Sequence, residues 1–164
     1  DLPGLNDSKK VPAARREALS VAIREQADAF AIGEVPPREI DRLNILQASL
    51  EAMRRAVVAL PENRTPDHVL VDARTIPGVD FPQTALIHGD AIDASIAAAS
   101  IVAKVYRDAI MHDLDVAYPQ YGFRKNMGYP TPDHLVALRE YGPCPMHRRS
   151  FGPVKSSLRG SGSS

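Results

Sequence analysis

The chain has 164 residues, 44% of them hydrophobic and 24% charged, which excludes a disordered segment or a collagen-like repeat. That length suits one domain with a sizeable core. Twenty Lys+Arg balance twenty Asp+Glu to zero formal net charge, so a polyanionic partner can be met only through local clustering of basic residues.

Pro12 opens an amphipathic helix predicted over residues 13–29, with Leu19, Ile23 and Ala27 on one stripe and Ser8 upstream as a candidate cap. Residues 30–35 predict a short strand stopped by Pro36-Pro37. A second helix is expected over residues 38–60, with Ile40, Leu43, Leu46, Leu50, Met53, Val57 and Leu60 three or four apart. Two apolar runs, residues 68–72 and 84–90, predict buried strands that each end in an aspartate, Asp72 and Asp90. Eleven residues separate Asp72 from Thr84, the lower edge of a parallel crossover, so a hairpin stays open as well. Residues 92–116 predict an Ala-rich helix, small-sided enough to pack closely under a sheet. A loop from Tyr118 and a short helix over residues 131–141 follow. Residues 156–164 are Gly/Ser-rich and expected to be disordered, leaving one domain over residues 1–155.

Cys144 is the only cysteine, which excludes a disulfide framework and a thiolate zinc site and fits a reducing, cytoplasmic setting. No apolar run approaches the ~20 residues needed to span a bilayer. The opening Asp1-Leu2-Pro3-Gly4 is neither a signal peptide nor a translation start, and an upstream segment is expected. Glycine-rich phosphate loops, a dinucleotide fingerprint, a serine nucleophile elbow and a His-Glu-x-x-His zinc motif are all missing.

Two features can carry chemistry. Ligands of open α/β sheets collect beyond the carboxyl ends of strands, where Asp72 and Asp90 can share a hard cation such as Mg²⁺ or Mn²⁺. The alternative is structural: Asp72 in a turn and Asp90 as a helix N-cap. Beyond residue 120, Arg124, Lys125, Arg139, Arg148, Arg149, Lys155 and Arg159 outnumber Asp133 and Glu140. Tyr121, Phe123, Tyr129, Tyr141 and Phe151 are interleaved with them, so the segment is either a phosphate-and-base surface or a solvated face over a small aromatic core. Lys9-Lys10 behind Asn6-Asp7-Ser8 is likewise a phosphate clamp or a polar turn. The five histidines lack metal-ligand spacing, and only His88 is near the two aspartates.

Several phrases, taken in order, are more specific: Asp7-Ser8-Lys9-Lys10, Asn44-Ile45-Leu46-Gln47-Ala48, Val69-Leu70-Val71-Asp72 and Gly89-Asp90. Then come Ser95-Ile96-Ala97-Ala98-Ala99-Ser100-Ile101-Val102-Ala103-Lys104-Val105 and Arg107-Asp108. Tyr121-Gly122-Phe123, Gly128-Tyr129-Pro130-Thr131 with His134, and His147-Arg148-Arg149-Ser150-Phe151 complete the series. From Asp7 to about Val154 the chain resembles bacterial ribonuclease HII.

The resemblance implies a ribonuclease H-like fold, a mixed sheet flanked by helices. It implies an endonuclease that cuts RNA in RNA–DNA hybrids and nicks duplex DNA 5′ of an embedded ribonucleotide, as in ribonucleotide removal during DNA repair. Four carboxylates around Mn²⁺ or Mg²⁺ belong to that pattern, the third falling on Asp72 and the fourth on Asp90. Tyr129 matches the tyrosine that stacks on the sugar at the ribose–deoxyribose junction, and Ser8, Lys9 and Lys10 match a backbone-contacting segment. Asp108, Asn44, His147 and Arg148 are expected to support the site or the fold. A hybrid or ribonucleotide-containing duplex is the expected partner, a monomer the expected state, and no membrane is involved.

The departures are informative. The Asp-Glu-Ala-Gly-Arg-Gly motif that carries the first two carboxylates does not occur, so the chain is expected to begin after that strand and, as it stands, not to cleave. Asn126-Met127 replaces a common His-Lys, and Met127 cannot neutralise a phosphate, which leaves that task to Arg124 and Lys125. A non-catalytic nucleic-acid-binding module is the alternative function. A small-molecule phosphatase would leave the basic and aromatic residues unexplained.

Overall fold

A computed structural model describes the backbone of residues 4, 5 and 7–160 and, within these, side chains as far as residue 158. The opening residues 1–3 and the tail residues 161–164, each the subject of an expectation above, lie outside the described residues. The chain packs as two compact units, one from residues 1–34 and 50–106, the other from residues 35–49 and 107–164.

In the first unit, α1 (Ala13–Gln26) buries Leu19 and Ile23 against Val11, Ile101 and Val102. It ends at Gln26 rather than at residue 29, with the Ala27 N–H donating to Ile23 O. Ser8 does not cap it. Pro12 holds the cap position, and the incoming turn is tied down by Arg16, whose Nη1 donates to Ser8 O (2.8 Å) and Val11 O (2.9 Å).

Residues 30–35 do not form a strand. A strand needs a ladder partner, and none of the described residues supplies one; Arg55 Nη1 donates to Glu34 O at 2.7 Å instead. Gly33 lies flat against the helix that follows, and a Cβ there would stand 1.9 Å from Ala52 O and 2.6 Å from Ala56 N. That helix is α3 (Ile45–Val58). Its predicted stripe is poorly covered, with Leu46 and Met53 exposed and Ala48 its buried residue, because small side chains on another face make the close approach.

β1 (Val69–Asp72) and β2 (Gln83–Leu86) pair in parallel, Val69 opposite Gln83 and Asp72 opposite Leu86, which settles the crossover against the hairpin. The connection holds itself together through one amide: Gln83 receives Ile76 N–H at 2.7 Å and donates to Ile76 O at 3.0 Å, while Ile76 is buried. The strands were expected to be buried, yet Val71 is the one buried residue in them. A two-stranded sheet has few neighbours to cover its faces. The second strand also stops earlier than predicted, at Leu86, because His88 turns left-handed (φ 58°) and starts α4 (Gly89–Ile92). Asp93 then opens α5 (Ala94–Ala117), its Oδ1 accepting from Ser95 N (2.8 Å) and Ile96 N (3.0 Å).

The second unit begins with α2 (Pro37–Leu43). The continuous helix predicted over residues 38–60 is broken at Asn44, whose φ of 73° ends α2 while its side-chain oxygen receives Gln47 N–H (3.1 Å) at the start of α3. Beyond α5 come α6 (Phe123–Asn126), α7 (Pro132–Tyr141) and α8 (Gly152–Gly160). Tyr121, Phe123, Ala137, Leu138 and Val154 form the core of this unit. Residues 156–160, expected to be disordered, continue α8, which Val154 anchors at 1% exposure.

Candidate functional site

In the first unit Asp72 closes β1, and the ladder continues one residue further as Ala73 N–H donates to Leu86 O at 2.8 Å. Ala73 itself is left-handed (φ 65°), which turns the chain sharply away from the strand end. The chain leaving β2 passes through Ile87 and His88 and returns, so that Gly89 N–H donates to Asp72 Oδ1 at 2.9 Å. Asp90 is the next residue, in the first turn of α4. Both aspartates are half-buried. One carboxylate is therefore pinned to the residue that precedes the other.

The structural role considered for Asp90 is overturned. His88 occupies the N-cap, and its side chain makes no cap bond. The Asp90 carboxylate makes no hydrogen bond or ion pair with any described residue, and the bond from Gly89 is the one that Asp72 accepts. The remaining lone pairs of Asp72, and those of Asp90 one residue beyond its tether, are oxygen donors of the kind that Mg²⁺ and Mn²⁺ prefer. No group of three or more His, Cys, Asp or Glu candidate ligands gathers among the described residues. A cation on Asp72 and Asp90 would take its remaining oxygens from water or phosphate.

Tyr129 belongs to the second unit and is 59% exposed. It follows two left-handed residues, Met127 (φ 50°) and Gly128 (φ 77°), and its N–H donates to Asn126 O at 2.8 Å. Asn126, buried, holds the turn from inside: its Oδ1 accepts Gly128 N–H (2.8 Å) and its Nδ2 donates to Tyr121 O (2.6 Å).

Beneath that turn lies a buried polar chain that the sequence did not reveal. Cys144 N–H donates to His147 Nδ1 at 3.1 Å, so the neutral ring of His147 carries its proton on Nε2. That nitrogen is 3.3 Å from His134 Nε2, which must then accept, and His134 Nδ1–H donates to Tyr121 O at 3.0 Å. The two imidazoles stack at 5.2 Å. Burial, aided by the neighbouring His134, pushes His147 down to about 4, so it stays neutral at neutral pH. Burial also pushes the Cys144 thiol up, away from nucleophilic use.

The other predicted residues fall as follows. Asp7 Oδ1 accepts Lys9 N–H (3.0 Å) and Asp7 O accepts Lys10 N–H (2.9 Å), which folds residues 7–10 into a turn with Lys9 and Lys10 exposed and Ser8 buried. Arg124 and Lys125 are exposed on α6, and Lys125 Nζ is 3.2 Å from Asp133 Oδ2. Arg148 lies over the Phe151 ring at 4.9 Å. Asp41, unnoticed in the sequence, receives Arg149 N–H (2.9 Å), Ser150 N–H (2.8 Å) and Ser150 Oγ–H (2.6 Å). Asp108 is half-buried on α5. The aspartate pair and the Lys9-Lys10 turn thus lie in the first unit, and Tyr129, Arg124 and Lys125 in the second.

Residues 2–154 match the family model for ribonuclease HII. Ribonuclease HII of Desulfitobacterium hafniense (strain DSM 10664 / DCB-2) is 54% identical over 158 residues, covering 96% of this chain and 60% of that protein. The Geobacillus thermodenitrificans protein of the same name is 55% identical over 157 residues, with the same two shares. The chain spans about three fifths of the length of these curated relatives. Among solved structures, the ribonuclease H2 from Pyrococcus horikoshii OT3 superposes with a TM-score of 0.80 at 25% identity, over 98% of this chain and 83% of that one. The fold is thus ribonuclease H-like, and no helix among the described residues is long and apolar enough to cross a membrane. By sequence along most of its length and by fold, the chain belongs to the ribonuclease HII family.

Proposed function

We propose that the protein is an endonuclease that hydrolyses phosphodiesters of RNA in RNA–DNA hybrids and nicks duplex DNA on the 5′ side of single ribonucleotides, leaving a 3′-hydroxyl and a 5′-phosphate. Asp72 and Asp90 would hold Mg²⁺ or Mn²⁺, which when bound supplies an acidified water and charge to offset the leaving oxygen. The single observation that carries this reading is the bond from Gly89 N–H to Asp72 Oδ1, which orients the Asp72 carboxylate and ties it to the residue before Asp90, whose own carboxylate has no partner among the described residues.

The chain's own groups do the rest. The Gly89 amide orients the Asp72 carboxylate, and Lys9 and Lys10 neutralise backbone phosphates. Ser8, being buried, contributes by holding their turn. The exposed Tyr129 ring meets the sugar next to the 2′-hydroxyl that distinguishes a ribonucleotide. Arg124 and Lys125 provide the charge that Met127 cannot. Asn44 and His147 serve the fold through the contacts described, Arg148 through its stacking on Phe151, and Asp108 from its half-buried place on α5. Two carboxylates give a small ligand set, and we propose that the 164-residue chain alone binds hybrid without cleaving it. The lone Cys144 fits a reducing cytoplasm, and a monomer is the proposed state.

In the natural full-length protein, Asp72→Asn abolishes nicking of a duplex containing one ribonucleotide while leaving its binding measurable. Near-normal cleavage by that variant refutes the metal role. Tight binding with no cleavage by the unaltered full-length protein would establish a non-catalytic nucleic-acid-binding module instead.

A further inference from the structure

Tyr129 is the exposed ring to which substrate recognition is assigned above, and two consecutive left-handed residues precede it. A non-glycine residue in that region, here Met127, persists only where its surroundings hold it. Asn126 does so from the buried side through Gly128 N–H. The outer side is held by one side chain of α5: Arg107 Nη2 donates to Met127 O at 2.9 Å, and its Cζ stands 5.8 Å from the centroid of the Tyr129 ring. Glycine at 128 serves the left-handed backbone (φ 77°) rather than the space, since a Cβ there would stand an ordinary 3.7 Å from Arg107 Nη2. The Tyr129 hydroxyl has no partner among the described residues, and the guanidinium is the charged group that lies over its ring.

We propose that Arg107 is a positioning residue for substrate recognition: its planar fork ties the Met127 carbonyl and the Tyr129 ring together, so that the ring meets the sugar already oriented. A lysine cannot do both at once, having one point charge in place of a fork. This inference rests on the recognition role of Tyr129.

The test uses the natural full-length protein, a duplex with one ribonucleotide for kcat and KM, and an all-DNA duplex for Kd. Arg107→Gln lowers kcat about tenfold, the loss expected from one cation–π contact and one hydrogen bond, with KM and Kd changed by less than about twofold and Tm lowered by only about 2–4 °C. Arg107→Lys regains part of the loss. In the Tyr129→Ala background, Arg107→Gln costs nothing further. An equal loss in both backgrounds overturns the inference, because Arg107 then acts without Tyr129. So does a loss seen mainly in Kd for the all-DNA duplex, which makes Arg107 a phosphate contact. A Tyr129→Ala enzyme with unchanged kcat removes the recognition role of Tyr129 itself. Should Arg107→Gln fail to fold, Arg107→Lys decides: full activity overturns the proposal, and a partial loss absent from the Tyr129→Ala background supports it.

Discussion

Replacing Asn126 with alanine tests the inner support of the Tyr129 turn. The side chain is 6% exposed and makes two bonds with different fates. Tyr121 O loses the Nδ2 donor at 2.6 Å but keeps His134 Nδ1–H at 3.0 Å, so that loss is about 1 kcal/mol. Gly128 N–H loses its acceptor at 2.8 Å and is left with none, a cost of about 1–3 kcal/mol that water reduces because Gly128 is only half-buried. The sum is about 2–3 kcal/mol. With a urea m-value of about 2 kcal/mol/M, the unfolding midpoint of the 164-residue chain falls by about 1 M, measured by far-ultraviolet circular dichroism. Asn126→Asp separates the two bonds. It keeps an acceptor for Gly128 but sets a charged oxygen against the Tyr121 carbonyl, where Nδ2 stood 2.6 Å away, with the His134 Nδ1–H at 3.2 Å as a partial offset. At pH 7 it therefore remains destabilising and recovers as acid protonates it. A midpoint shift under about 0.2 M for Asn126→Ala would refute the reasoning.

Gly33→Ala forces a Cβ to within 1.9 Å of Ala52 O and 2.6 Å of Ala56 N, both backbone atoms that cannot swing aside. A loss of more than about 3 kcal/mol is expected. Gly152→Ala, with nothing within 4 Å, is the neutral control in the same unfolding assay. Acid acts through His147. Burial holds its folded value at about 4, against 6.5 unfolded. Between those values the unfolded chain takes a proton that the folded one refuses, so stability present above pH 6.5 is lost as pH falls towards 4, by at most about 3 kcal/mol. His147→Gln flattens that slope in urea unfolding followed from pH 7 to pH 4.5; an unchanged slope would show the ring titrating normally.

How much of this was legible depended on whether the determining interaction was local. The Val69–Asp72 run is apolar, β-branched and closed by an aspartate, so its strand and its carboxylate could both be read directly. The run leading to Asp90 looked the same, but a left-handed His88 cut the strand at Leu86 and placed Asp90 on a helix instead. Asn44 offers a similar lesson: the apolar spacing through it is helical, while its own φ of 73° is set by a side-chain bond to Gln47 N–H that periodicity does not register. The strand expected at residues 30–35 failed because ladder pairing is a property of neighbours and not of the segment. Least legible were contacts between distant residues. Nothing in the spacing of His134 and His147 brings their rings together, and nothing in Arg107 marks it as the partner of a carbonyl 20 residues on.

The central claim is that Asp72 and Asp90 jointly hold a divalent cation, and Mn²⁺ reports it most directly. Titrated into the isotope-labelled 164-residue chain, Mn²⁺ should broaden the amide signals of Ala73, Gly89, Asp90 and Ala91 first, and Asp90→Asn with Asp72→Asn should abolish that broadening. Broadening centred elsewhere, or persisting undiminished in the doubly substituted chain, would contradict the assignment.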